Sequence, residues 1–140
     1  MPKPRLVLDT NVCLDLFVFH DPHCARLHAA LLAGSVEAVT RTDCRNEWLR
    51  VLDYPNLPLN ETTKQQAAEM FDRLIVCMAP DIRTTPLPVC RDTDDQKFLE
   101  LARDANAQCL VTKDKALLKL AGKLARSGLF RITRPEAWAT

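Results

Sequence analysis

The sequence predicts a three-layer α/β/α domain built on a central parallel sheet of four to five strands. Short apolar runs of strand length alternate along the chain with amphipathic segments of helical period, and strands that alternate with helices form parallel sheets covered on both faces. The first of them, Leu6-Val7-Leu8, is continuously apolar, as a strand buried on both faces requires. One hundred and forty residues that are 47% apolar suffice for one ordinary core, so residues 1–140 are expected to be a single domain.

The elements follow in order. "RLVLDT" (5–10) is the first strand. "VCLDLFVF" and "PHCARLHAALLAG" are two helices broken near Asp21-Pro22, the second closed by Gly34. "VEAVT" (36–40) is the second strand, followed by a helix over about 43–52 that "YPNLPLN" stops. A longer helix is expected over about 61–78. Residues 79–91 hold Pro80, Pro86 and Pro88 and are expected to be irregular, with a short edge strand near Ile82. A helix then begins around Asp95, where Thr93 and Gln96 have the spacing of a capping box. "QCLVT" (108–112), a basic helix and the closing strand "LFRIT" (129–133) complete the chain.

Composition excludes several classes. The N-terminal run has no signal-peptide core and no stretch approaches membrane length, so a cytoplasmic protein is expected. Six cysteines stand singly without a CxxC pair, which argues for reduced, mostly buried thiols. His20, His23, Cys24 and His28 are interrupted by Pro22 and lack zinc-ligand spacing. Three glycines leave no Gly-rich nucleotide loop. Net charge is only +1, but residues 105–140 carry five more basic than acidic side chains. There Lys115, Lys119 and Lys123 recur every fourth residue opposite Leu117, Leu118, Ala121 and Leu124, a cationic stripe suited to a phosphate backbone.

Chemistry concentrates where strands end, because ligands of open parallel sheets sit beyond the carboxyl ends of the strands. The first strand delivers Asp9, followed by Thr10 and Asn11; "CLVT" delivers Thr112 and then Asp114. Asp95 stands three residues before Phe98 and seven before Ala102, so helical spacing turns it along an apolar face. Glu47 shares the stripe of Cys44, Trp48 and Val51 and also points inward. Four converging carboxylates repel one another unless their pKa values rise or a cation joins them. All-oxygen donors without matching histidines favour Mg²⁺ or Mn²⁺. An aspartyl-phosphate enzyme would want a second aspartate two positions after Asp9, where this chain has Asn11.

"VLDTNV", Glu47 in "TDCRNEWLRVLDYP", "CRDTDDQKFLELARDANAQCLVTKDKALL" and "ITRPEAW" together resemble the PIN-domain ribonucleases, most closely the short bacterial members described as toxins of toxin-antitoxin pairs. The resemblance implies metal-dependent cleavage of single-stranded or structured RNA by an acidic quartet, Asp9, Glu47, Asp95 and Asp114. Asp9, Asp95 and Asp114 are then the expected metal ligands, and Glu47 a ligand or an orienter of the attacking water. Thr10, Asn11 and Thr112 fall on positions that support the quartet by hydrogen bonding, and Asp92 and Asp94 flank it. Lys113, Lys115, Lys119 and Lys123 are the expected RNA contacts. A cognate antitoxin and a homodimer are candidate partners. Relatives often carry "TGDKDLL" where this chain has "TKDKALL", so Ala116 replaces a further acid.

Overall fold

The computed structural model describes residues 3–139; Met1, Pro2 and Thr140 of the expected domain lie outside the described residues. Five strands form one sheet: β1 (Arg5–Leu8), β2 (Glu37–Thr40), β3 (Ile75–Cys77), β4 (Cys109–Val111) and β5 (Arg131–Thr133). All neighbours are parallel, in the order β3-β2-β1-β4-β5. From β1 the chain builds the sheet outward in one direction through β2 and β3, then crosses back to place β4 on the other side of β1. The point of reversal therefore lies between β1 and β4, where open α/β sheets leave a crevice.

Alternation along β1 divides the core. Leu6 and Leu8 join a cluster with α1 (Thr10–Phe17), α2 (Ala25–Ala33), α3 (Thr42–Leu52) and α4 (Glu61–Leu74). Val7 faces the opposite cluster, formed with α5 (Gln96–Asp104), α6 (Lys115–Leu118) and α7 (Ala121–Ser127). This is the expected three-layer order. In the first layer Trp48 stacks on Phe71 at 5.1 Å between ring centroids, and Phe17 meets both edge-on. Each such fully buried ring contributes about 1.5–3 kcal/mol of transfer free energy. Helix α3 belongs to both layers, since its Trp48 and Leu52 lie in the first cluster and its Cys44 in the second. Glu47, between them, is thereby carried to the seam at the sheet's carboxyl edge.

Three sequence expectations are corrected. The helix expected over 61–78 ends at Leu74, and Ile75–Cys77 pairs with Ala38–Thr40 as the edge strand β3. Phe71 and Ile75 share helical spacing, but the open edge of β2 offers a ladder that two β-branched residues, Ile75 and Val76, fit better. Residues 79–91 are irregular as expected but hold no strand, and Ile82 is exposed. The basic segment is two short helices, α6 and α7, rather than one, because the chain turns at Lys119-Leu120. Lys115, Lys119 and Lys123 are all exposed but do not share one helix face. Elsewhere the boundaries match closely: Asn60 caps α4 in a reciprocal box with Thr63, and Gly34 closes α2 at φ 70°, where a side chain would be strained. Five cysteines are buried and Cys77, on the edge strand, is exposed; all six are free.

Candidate metal centre

The register of β1 against β4 sets Leu8 opposite Val111, so the residues that follow, Asp9 and Thr112, leave the sheet side by side. The Asp9 amide donates to the Val111 carbonyl at 3.0 Å and continues the ladder one step beyond the strands. Asp9 caps α1, its carboxylate accepting from the Thr10 amide at 2.6 Å and from the Thr112 hydroxyl at 2.6 Å. The same hydroxyl accepts the Asp114 amide at 3.0 Å, and Asp114 in turn caps α6 by accepting the Ala116 amide at 2.9 Å. Thr112, wholly buried, thus fixes two acids at once.

Asp95 reaches the same place from the second layer. It ends a 3-10 turn (Thr93–Asp95) leading into α5 and is 9% exposed. The capping box expected of Thr93 and Gln96 does not form. Asp92 caps the turn by accepting the Asp94 amide, while Gln96 reaches back to the Cys90 amide and the Pro88 carbonyl. Those bonds tie the irregular segment down, a demand that arises only in three dimensions.

Carboxylate oxygens of Asp9, Asp95 and Asp114 all lie within 4.8 Å of one another. Their electrostatics record the crowding. Burial pushes Asp9 up to about 6, with the Glu47 and Asp114 charges adding to it and the Thr112 and Thr10 hydrogen bonds working against it. Burial, a hydrogen bond to Asp114 and the charges of Asp9 and Asp114 push Asp95 up to about 8. Asp114 is held below its ordinary value, first by its hydrogen bond with Asp95. Three oxygen-donor groups with excess negative charge and no basic side chain among them fit a hard divalent cation.

Glu47 stands outside this trio. One of its carboxylate oxygens accepts the Thr10 hydroxyl and the other accepts Lys97 Nζ at 2.8 Å. Its basic partner is thus Lys97 rather than an arginine; Arg45, two positions before it, pairs instead with Asp72. Asn11 lines the cleft, its Oδ1 buried without a hydrogen-bond partner. Asp92 lines the same cleft, whereas Asp94 is exposed and outside its lining. Lys113 is turned away, with Nζ 2.6 Å from Asp15. Sequence reasoning missed Lys97 altogether. Its partner is fifty positions away, and no local pattern signals that pairing.

Residues 5–116 match the family profile described as PIN domain. The chain belongs to the PIN-domain family. This PIN domain is also similar to a chain in the crystal structure of VapBC2 from Rickettsia felis bound to a DNA fragment from their promoter. The match has a TM-score of 0.59 and covers 91% of this chain and 96% of that one, at 16% identity. At such identity the likeness is one of fold. No curated protein matches the chain. Among the described residues, no helix is long and apolar enough to cross a membrane.

Proposed function

We propose that this PIN domain is a Mg²⁺- or Mn²⁺-dependent endoribonuclease that cleaves single-stranded RNA in the cytoplasm, as the toxin of a bacterial type II toxin-antitoxin pair. The observation that carries the nuclease reading is the convergence of Asp9, Asp95 and Asp114 at the sheet's point of reversal. The pairing with an antitoxin rests on the resemblance of the motifs to short bacterial toxins and on the fold shared with a chain of the VapBC2 structure.

In this reading Asp9, Asp95 and Asp114 hold the cation, which when bound lowers the pKa of a water and offsets charge on the scissile phosphate. The protein's own contribution is positioning. Asp9 cannot rotate without losing both Thr10 and Thr112, and Asp114 is fixed through Thr112 and Ala116. Asp95 would supply the third donor, in its ionised form. Glu47, held between Thr10 and Lys97, would orient the attacking water. Lys115, Lys119 and Lys123 offer exposed charge for the phosphate backbone beyond the cleft.

A second reading, an RNA- or protein-binding domain that cuts poorly, is favoured by Ala116, where relatives often carry another acid. One experiment separates the two. Purified protein is incubated with a quenched fluorescent single-stranded RNA in Mn²⁺ or Mg²⁺, beside Asp95→Asn and a chelator control. Cleavage by wild type that both controls abolish is the expected result. Equal silence of wild type and Asp95→Asn, with RNA still bound, would overturn the nuclease reading.

A further inference from the structure

The cleft that holds the three aspartates does not end with them. It measures about 470 Å³ and is continued by Phe19, Tyr54, Leu14, Val51 and Leu57. Six of the eight aromatic side chains are buried in the core; the two that are not, Phe19 at 49% and Tyr54 at 55% exposure, both line this cleft. Their backbones are anchored, the Phe19 amide donating to the Leu14 carbonyl at 2.9 Å and the Tyr54 amide to the Val51 carbonyl at 3.0 Å. The rings are therefore exposed from ordered positions.

Among the described residues, no lysine, arginine or histidine is part of the cleft's lining. The ammonium behind its wall, Lys97, is engaged by Glu47, so the favourable place for a phosphate is beside a cation held by the carboxylates. What the remaining wall offers is flat, apolar surface together with the side-chain amides of Asn11 and Asn56. That chemistry suits a neutral planar group with hydrogen-bonding edges. We propose that Phe19 and Tyr54 form a stacking subsite for an unpaired nucleobase next to the scissile phosphate. Aromatic rings bind bases of single strands in this way, and a paired base cannot present its face to them. The subsite rests on the nuclease reading for its substrate, and it would select a single-stranded one.

Tyr54 is the chain's one tyrosine, so fluorotyrosine labelling places a single ¹⁹F probe on the subsite. Binding of an adenylate RNA tetramer is measured in Ca²⁺, alongside the same backbone carrying abasic residues. The adenylate is expected to move the Tyr54 resonance and the abasic strand to leave it in place. Phe19→Ala and Tyr54→Ala should each weaken adenylate binding about fivefold or more with unchanged salt dependence, since stacking releases no counterions. Tyr54→Phe should bind as wild type. A resonance unmoved at saturation, alanine variants that bind equally well, or no binding of the tetramer would overturn the subsite; the last outcome would leave the two rings as a protein-docking point. Cleavage in Mn²⁺ is scored separately. Binding with a ring shift but no cleavage keeps the subsite and removes the nuclease reading, whereas cleavage with an unchanged KM in Tyr54→Ala does the reverse.

Discussion

Lys97 Nζ lies 2.8 Å from Glu47 Oε1, and the two side chains are only 17% and 20% exposed. The pair joins α5 to α3 across the carboxyl end of the sheet. It also neutralises Glu47, the member of the acidic quartet that stands apart from the aspartate trio. Removing the ammonium leaves a half-buried carboxylate with only the Thr10 hydroxyl, beside Asp9. Lys97→Met should cost about 1–2 kcal/mol of stability. Lys97→Met combined with Glu47→Gln should cost less than the sum of the two single changes, because the charges act as a unit. Urea melts of the four proteins check this, and strictly additive costs would rule out the coupling.

The trio makes stability depend on pH when no divalent cation is present. Asp9 and Asp95 have an ordinary value of 3.8 and stand at about 6 and about 8 in the fold. Raised values mean that the fold favours their protonated forms. That contribution is complete below the unfolded value and is lost as pH rises through the two folded values. In chelator the protein should therefore lose stability between about pH 4 and about pH 8, by at least ~1 kcal/mol. Mg²⁺ or Mn²⁺ should recover most of the loss. Asp95→Asn removes the upper titration and should raise the chelated protein's Tm at about pH 8 by several degrees. A chelated wild type with a flat Tm across this range would contradict the crowding of the three acids.

Thr112 is the hinge of the site. Its hydroxyl donates to Asp9 and accepts from the Asp114 amide, and its side chain has no access to solvent. Thr112→Val preserves the shape and deletes both bonds, leaving a buried carboxylate and a backbone amide each short of a partner. A cost of about 1–3 kcal/mol is expected. Mn²⁺ affinity by calorimetry should fall as well, because Asp9 is freed to rotate and is protonated more readily. Thr112→Ser should retain both properties. Unchanged Mn²⁺ affinity in Thr112→Val would show that the hydroxyl does not orient Asp9.

What was legible in the chain was whatever its neighbours in sequence decide. Leu6, Val7 and Leu8 announce a strand buried on both faces. A parallel sheet makes the residues that follow its strands the chemical ones, which marks Asp9 and Asp114 before any contact is known. Asp95 and Glu47 were legible through helical spacing, since the apolar partners of each lie within seven positions. Long-range pairings were not legible. Ile75–Cys77 becomes a strand because β2 has a free edge, and the local pattern beginning at Phe71 reads equally well as helix. Lys113 belongs to a basic stretch by sequence but is paired with Asp15 on α1. Gln96 has the spacing of a cap and acts as a tether because Cys90 and Pro88 are folded against it.

Asp104 anchors the other end of that irregular segment. It is 5% exposed, accepts the Arg83 amide at 2.9 Å and Arg103 Nε at 2.9 Å, while Arg103 also donates to the Thr85 carbonyl. Burial works against its charge, but the Arg103 guanidinium and the Arg83 amide prevail and hold its pKa below the ordinary carboxylate value. A lowered value gives stability that is present above the unfolded pKa and is lost as pH falls through the folded one. Asp104→Asn should thus cost about 1–3 kcal/mol at neutral pH and much less in acid. It should also release residues 79–91 locally. Trypsin should cut at exposed Arg83 several times faster in Asp104→Asn than in wild type, while Arg91, next to the Cys90 that Gln96 holds, changes little. Equal cleavage at Arg83 in both proteins would mean that proline stiffness, not Asp104, keeps the segment in place.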